Sequence, residues 1–118
     1  MNKLVSWVEI PANDIDRAVV FYNTLLNLEL TVTDCGGEKM ACFPTGEGAV
    51  FSAPGFSPSQ QGTLVSFRVE KGIEAVLSQI EEKGGRIIRQ KSRIEAENKG
   101  YFALILDSEG NRIGLHEQ

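Results

Sequence analysis

The chain has 118 residues, 42% of them apolar and 24% charged, which is the make-up of one ordinary globular domain able to close a single core. Its net charge of −4, from 12 Lys and Arg against 16 Asp and Glu, argues against an electrostatically driven nucleic-acid partner, which needs clustered cations. No apolar run approaches a membrane span, and no signal-peptide core follows Met1-Asn2-Lys3; the expected location is the cytoplasm, with no membrane partner.

In chain order, Leu4 to Ile10 is β-branched and alternating enough to predict a strand, and Pro11 ends it. Asn13 or Asp14 then caps a helix that buries Ile15, Val19, Phe21, Tyr22, Leu25 and Leu26. Leu28 to Thr33 predicts a strand that turns at Gly36-Gly37 into Lys39 to Phe43. A second turn, Thr45-Gly46-Glu47-Gly48, leads into Ala49 to Ala53. Pro54 to Gly62 is a polar linker. Beyond it the order repeats: strand Leu64 to Val69, helix Ile73 to Lys83 stopped at Gly84-Gly85, and strand Arg86 to Arg89. A polar loop from Lys91 to Gly100 precedes strands Tyr101 to Leu106 and Arg112 to His116, joined by the turn Asp107-Ser108-Glu109-Gly110-Asn111.

The chain therefore holds two βαβββ units in a single domain, 1–118, with module one about 1–54 and module two about 62–118. Setting Ile15 against Ile73 gives an offset of 73 − 15 = 58, about half the length. Such a fold builds its site between the copies. The basic stretch Arg86 to Arg93 is followed at once by Glu95 and Glu97 and reads as solvated strand and loop. Cys35 and Cys42 flank a turn and form no C-x-x-C pair, so they read as free thiols rather than a zinc or redox motif. The Asp107 to Asn111 turn lacks the ligand spacing of an EF-hand loop.

The repeat, the signature Pro11-x-x-Asp14-Ile15-x-Arg17-Ala18-x-x-Phe21-Tyr22 and the run Asp107-Ser108-Glu109-Gly110-Asn111-Arg112-Ile113 together resemble the vicinal oxygen chelate superfamily. That superfamily holds glyoxalase I, bleomycin- and fosfomycin-resistance proteins and extradiol dioxygenases. The resemblance covers essentially the whole chain. It implies an α+β fold in which two βαβββ modules form a cup-shaped mixed sheet with helices outside.

In metal-using members, the resemblance implies, each module supplies one ligand from its first strand and one from its last, typically His, Glu or Gln. Counting back from Asp14 places the first of these positions on Trp7. The second falls on Leu64, or on Val65 or Ser66 if the shorter connection shifts the count. The last-strand positions fall on Gly114 and, by matching Gly46 with Gly110, on Val50. Trp, Leu, Val and Gly do not ligate through their side chains, so neither a metal nor another cofactor is expected. Glyoxalase chemistry, which uses the metal to stabilise an enediolate, loses its basis with them.

Residues two along a strand face the same way, so the count continues from Trp7 to Glu9, from Val50 to Ser52, from Leu64 through Ser66 to Arg68, and from Gly114 to His116. The expected ligand-binding set is thus Trp7, Glu9, Val50, Ser52, Ser66, Arg68, Gly114 and His116. A salt bridge from Glu9 to Arg68 is one reading of these polar groups. A pocket with Trp7 as its aromatic wall is the other, and the two can coexist. If catalysis occurs, Glu9 and His116 are the expected proton-exchanging pair. The leading expectation is a metal-independent small-molecule-binding protein of the glyoxalase and bleomycin-resistance type, a homodimer, whose net negative charge suits a cationic ligand. The alternative is a lyase or isomerase resembling lactoylglutathione lyase, using Glu9 and His116 or a displaced divalent metal. A third reading is an interaction module whose cup is closed by its own dimer.

Overall fold

A computed structural model describes residues 4–118, so the first positions of module one lie outside the described residues. Eleven elements follow the expected order. Module one comprises β1 (Val8–Pro11), α1 (Ile15–Leu26), β2 (Thr33–Asp34), β3 (Lys39–Cys42) and β4 (Gly48–Ser52). Module two comprises β5 (Val65–Arg68), α2 (Ile73–Ile80), β6 (Arg86–Arg93), β7 (Tyr101–Leu106) and β8 (Arg112–Glu117), with a 3-10 turn at Glu81–Lys83 closing α2. The class is α+β, with two four-stranded mixed sheets ordered β1-β4-β3-β2 and β5-β8-β7-β6. In each, the first strand runs parallel to the last strand of its module and the other pairings are antiparallel.

Several boundaries differ from expectation for local reasons. β1 begins at Val8 rather than Leu4 because its partner β4 starts at Gly48, so earlier residues have nothing to pair with; Leu4 is 99% exposed. β2 shrinks to two residues. Asn27 ends α1 in the left-handed region (φ 57°), and the Asn23 amide oxygen then takes the Leu30 N–H at 2.7 Å, pinning the segment to the helix end with Leu30 buried. β6 instead runs on to Arg93, because Ser92 and Arg93 pair with Phe102 and Tyr101 across two register shifts.

Helix α1 starts where Asp14, in extended conformation, accepts the Arg17 N–H at 3.1 Å. Each helix covers one face of its sheet, and the buried side chains of both modules join in one cluster that includes Ile10, Tyr22, Val50, Ile73, Ile105 and Leu115. Phe67 of β5 bridges the modules, its ring 5.7 Å from Tyr22 and 5.5 Å from Phe43. The β7–β8 turn completes the join. Asp107 accepts from the Tyr22 hydroxyl, and the Asn111 amide donates to the Pro11 carbonyl at 2.7 Å. Burial, and then the neighbouring Asp107 carboxylate, push the Tyr22 phenol well above its usual pKa.

Candidate functional site

Each sheet has a face the helices leave open. The internal symmetry of the modules fixes which residues lie there. The Ala12 N–H donates to the Phe51 carbonyl as the Val69 N–H donates to that of His116, at 2.9 and 3.1 Å, so Ala49 is the counterpart of Gly114 and Glu9 that of Ser66. Glu9 lies beside Ala49 in β4, and Ser66 beside Gly114 in β8.

In module two the alternation is as expected. Phe67, Ile105, Ile113 and Leu115 turn to the core, while Ser66, Arg68, Gly114 and His116 occupy the open face. Module one needs a correction. Val50 pairs with Ile10, is 0% exposed and belongs to the core, so it and Ser52 lie on the helix side; the open-face residues of β4 are Ala49 and Phe51. The cause is the turn. The Phe43 N–H closes onto Gly48, whereas the Asp107 N–H closes onto Asn111, so two glycine turns that look alike are out of register by one residue. Ser52 instead borders a cleft of about 480 Å³ on the helix side, with Asn13, Asp14 and Lys39.

On the open face of the first sheet, Trp7 stands 41% exposed and its indole N–H donates to Glu9 Oε2 at 3.2 Å. Met40 beside Phe51, and Cys42 beside Ala49, complete this surface. Cys35 and Cys42 are both free and exposed thiols. On the second sheet Arg68 and His116 are register partners, and His116 Nε2 contacts the Lys99 carbonyl at 2.7 Å, which keeps a proton on that nitrogen. The structure thus hydrogen-bonds Trp7 to Glu9 and sets Arg68 beside His116 on adjacent strands. Within one chain Glu9 forms no ion pair with Arg68 or His116 among the described residues, and Glu9 is exposed rather than partly buried.

The open face of the second sheet also carries residues that sequence reasoning missed. Arg112 lies across from Leu106 and Arg86; Leu104 lies between Gly114 and Arg89; Phe102 lies beside His116 and Ser92. The Arg89 guanidinium sits 4.9 Å from the centroid of the Phe102 ring. The signal was available in the two-residue alternation of Phe102, Leu104 and Leu106 on a strand already recognised. The bulge at Ile88 hid the rest, since it shifts Arg89 onto the face that simple alternation denies it.

The positions where the resemblance implies metal ligands hold Trp7, Leu64, Ala49 and Gly114. None offers a ligating side chain. At Gly114 a Cβ would collide with the Ser66 hydroxyl, so that oxygen fills the space a longer side chain would need. Among the described residues no group of three or more His, Cys, Asp and Glu could hold a metal ion.

Two carboxylates lock the helices that back this surface. Glu109, its side chain 1% exposed, accepts the Asn13 and Asp14 N–H groups at 2.9 and 2.8 Å and the Arg17 Nε at 2.7 Å. Burial pushes its carboxyl up, but the Arg17 hydrogen bond, the Asp14 N–H, Ser108 and the Arg17 charge outweigh that and leave it below the usual carboxylate range. Glu117 accepts the Ile73 N–H at 2.8 Å and the Lys91 ammonium at 3.0 Å, and these lower its carboxyl too.

Comparison with known proteins points the same way as the topology. Residues 4–115 match the model of the glyoxalase/bleomycin resistance protein/dioxygenase superfamily. No curated protein matches the sequence. Among solved structures, a glyoxylase/bleomycin resistance protein/dioxygenase domain from Frankia sp. EAN1pec superposes with a TM-score of 0.72 at 15% identity, covering 98% of each chain. A family enzyme from Burkholderia phytofirmans PsJN gives 0.70 at 16% identity over 94% of this chain and 95% of its own. Glyoxalase I from Zea mays gives 0.69 at 22% identity over 95% of this chain, which spans only 45% of that protein. At such identities the likeness speaks to fold. No helix among the described residues is long and apolar enough to cross a membrane.

Proposed function

We propose, from the premise that the chain belongs to the glyoxalase/bleomycin resistance protein/dioxygenase superfamily, that it binds a small molecule against the open faces of its two sheets, without a resident divalent metal and in the cytoplasm. One observation carries the reading. On the side the helices leave bare, Trp7 and Leu64 are 41% and 43% exposed beside the polar groups of Glu9, Ser66, Arg68 and His116. Apolar walls with a few convergent polar groups are what a ligand site needs.

A second copy completes the cup. β1 and β5 are edge strands, each with one side of its backbone unpaired. Bringing β1 of one copy beside β5 of another would join the two open faces into one cup, with Trp7 and Glu9 on one wall and Arg68 and His116 on the other. Donor chemistry supports the metal-free reading: Trp7, Leu64, Ala49 and Gly114 stand where ligands would be needed. The two exposed thiols fit a reducing compartment.

Light scattering and elemental analysis of the dialysed protein test this together. A dimer with no stoichiometric metal is expected. A bound divalent ion in one-to-one ratio would overturn the metal-free reading and favour a lyase or isomerase, for which Glu9 and His116 are the acid–base pair. A monomer at working concentration would overturn the shared cup.

A further inference from the structure

The open face of the second sheet has a charge opposite to that of the chain. Arg68 and His116 stand in one row, Arg89 ends the next, and Arg112 and Arg86 share the third, so four guanidinium groups and an imidazole lie on a surface whose strand positions hold no carboxylate. The contact of Arg89 with the Phe102 ring fixes this facing independently of strand alternation. Among the described residues Arg68, Arg86 and Arg112 make no ion pair, although the chain contains 16 Asp and Glu. Between these cations run Phe102, Leu104 and Leu106, half-buried, with neighbouring core residues turned the other way.

We propose that this face binds an amphiphilic small-molecule anion, one carrying a carboxylate, phosphate or sulfonate beside an apolar body. The inference rests on the small-molecule reading above and names its ligand class. Unpaired guanidinium forks recognise such oxyanions in bidentate fashion. Neighbouring strands lie about 4.8 Å apart, so an anionic group held by Arg68 places the attached apolar body over the β7 strip. The Ser66 hydroxyl, seated above Gly114, adds a donor in the middle row. Expecting a cationic ligand from a net charge of −4 averages over the whole surface, whereas a ligand meets only the local field.

Fluorescence titration with 8-anilinonaphthalene-1-sulfonate tests the assignment, with N-phenyl-1-naphthylamine as the same apolar body lacking the anion. The sulfonate is expected to bind more tightly than the neutral probe, and to weaken between about 20 mM and 0.5 M salt. An Arg68→Gln/Arg112→Gln double variant should lose about ten-fold in affinity for the sulfonate, while the double Lys variant, which keeps the charge but not the fork, should recover only part of it. Unchanged thermal melting shows that these variants fold. Equal affinity for the two probes, or indifference to the Gln pair, overturns the proposal. Sulfonate binding that emerges only after Glu9→Gln assigns the arginines to a second copy and overturns it as well. A single-stranded oligonucleotide that binds more tightly than the sulfonate would replace it with a nucleic-acid site. Light scattering on the same samples separates the two readings: a dimer that ignores the sulfonate sinks this inference alone, and a monomer that binds it sinks the shared cup alone.

Discussion

The two helices begin in different ways, although their modules share one topology. α1 has its own Asp14 cap and still draws in Glu109 from the far end of module two, together with Arg17. α2 follows Gly72, which has no side chain to offer, and takes its cap from Glu117 of its own module. A duplicated fold has thus divided the labour. One carboxylate joins the modules, the other only closes its own. Breaking the first should loosen the interface between halves, and breaking the second should loosen a single helix.

The comparison can be broken most severely at Glu109. Replacing it by Ala orphans two backbone N–H groups and leaves Arg17 unpaired, so unfolding in urea should show a loss of about 3 kcal/mol. Hydrogen exchange should rise in α1 more than in α2. Next comes the matched pair Ala49 and Gly114, equivalent positions with unequal room. Gly114→Ala meets the Ser66 hydroxyl and should cost about 2 kcal/mol, with Ser66→Gly recovering most of it. Ala49→Gly should cost about 1 kcal/mol, chiefly in strand entropy. Smaller still is Glu117→Ala, at about 0.5 kcal/mol, read as faster exchange confined to the first turn of α2.

Acid sharpens the same contrast. Both carboxyls lie below the usual carboxylate range in the fold, Glu109 through Arg17 and backbone donors against burial, Glu117 through the Ile73 N–H and Lys91. At acid pH the unfolded chain therefore binds more protons than the folded one. The stability each contributes is present at neutral pH and is lost as pH falls below the ordinary carboxylate range and through the lowered folded values. Urea melts at pH 7, 5 and 3 should steepen in that window, and the double Ala variant should flatten the slope.

The repeat, the helix faces and the turn signals made the fold legible from residues alone, because each depends on local spacing. The second module's facing was legible for the same reason: Phe67, Ile113 and Leu115 alternate without interruption with Ser66, Gly114 and His116. Val50 was misplaced because register across a turn depends on which carbonyl closes it, and glycine content does not say. β2 was over-read because Leu28 to Val32 have strand chemistry while Asn23 holds them to the helix end. The arginine-lined face stayed hidden for a different reason. Its members come from three strands and a bulge, and no linear stretch brings them together.

The hydrogen bond from Asn111 to the Pro11 carbonyl spans 100 residues of chain. It also has a consequence in time. During synthesis β1 and α1 emerge well before Glu109, Asp107 and Asn111, which anchor them. The N-terminal helix must wait, partly assembled, until the final hairpin turns. Loop closure of this length is slow to form relative to local contacts. The turn from Asp107 to Asn111 therefore decides when α1 becomes native, and a chain truncated before Asp107 should leave α1 unable to finish docking.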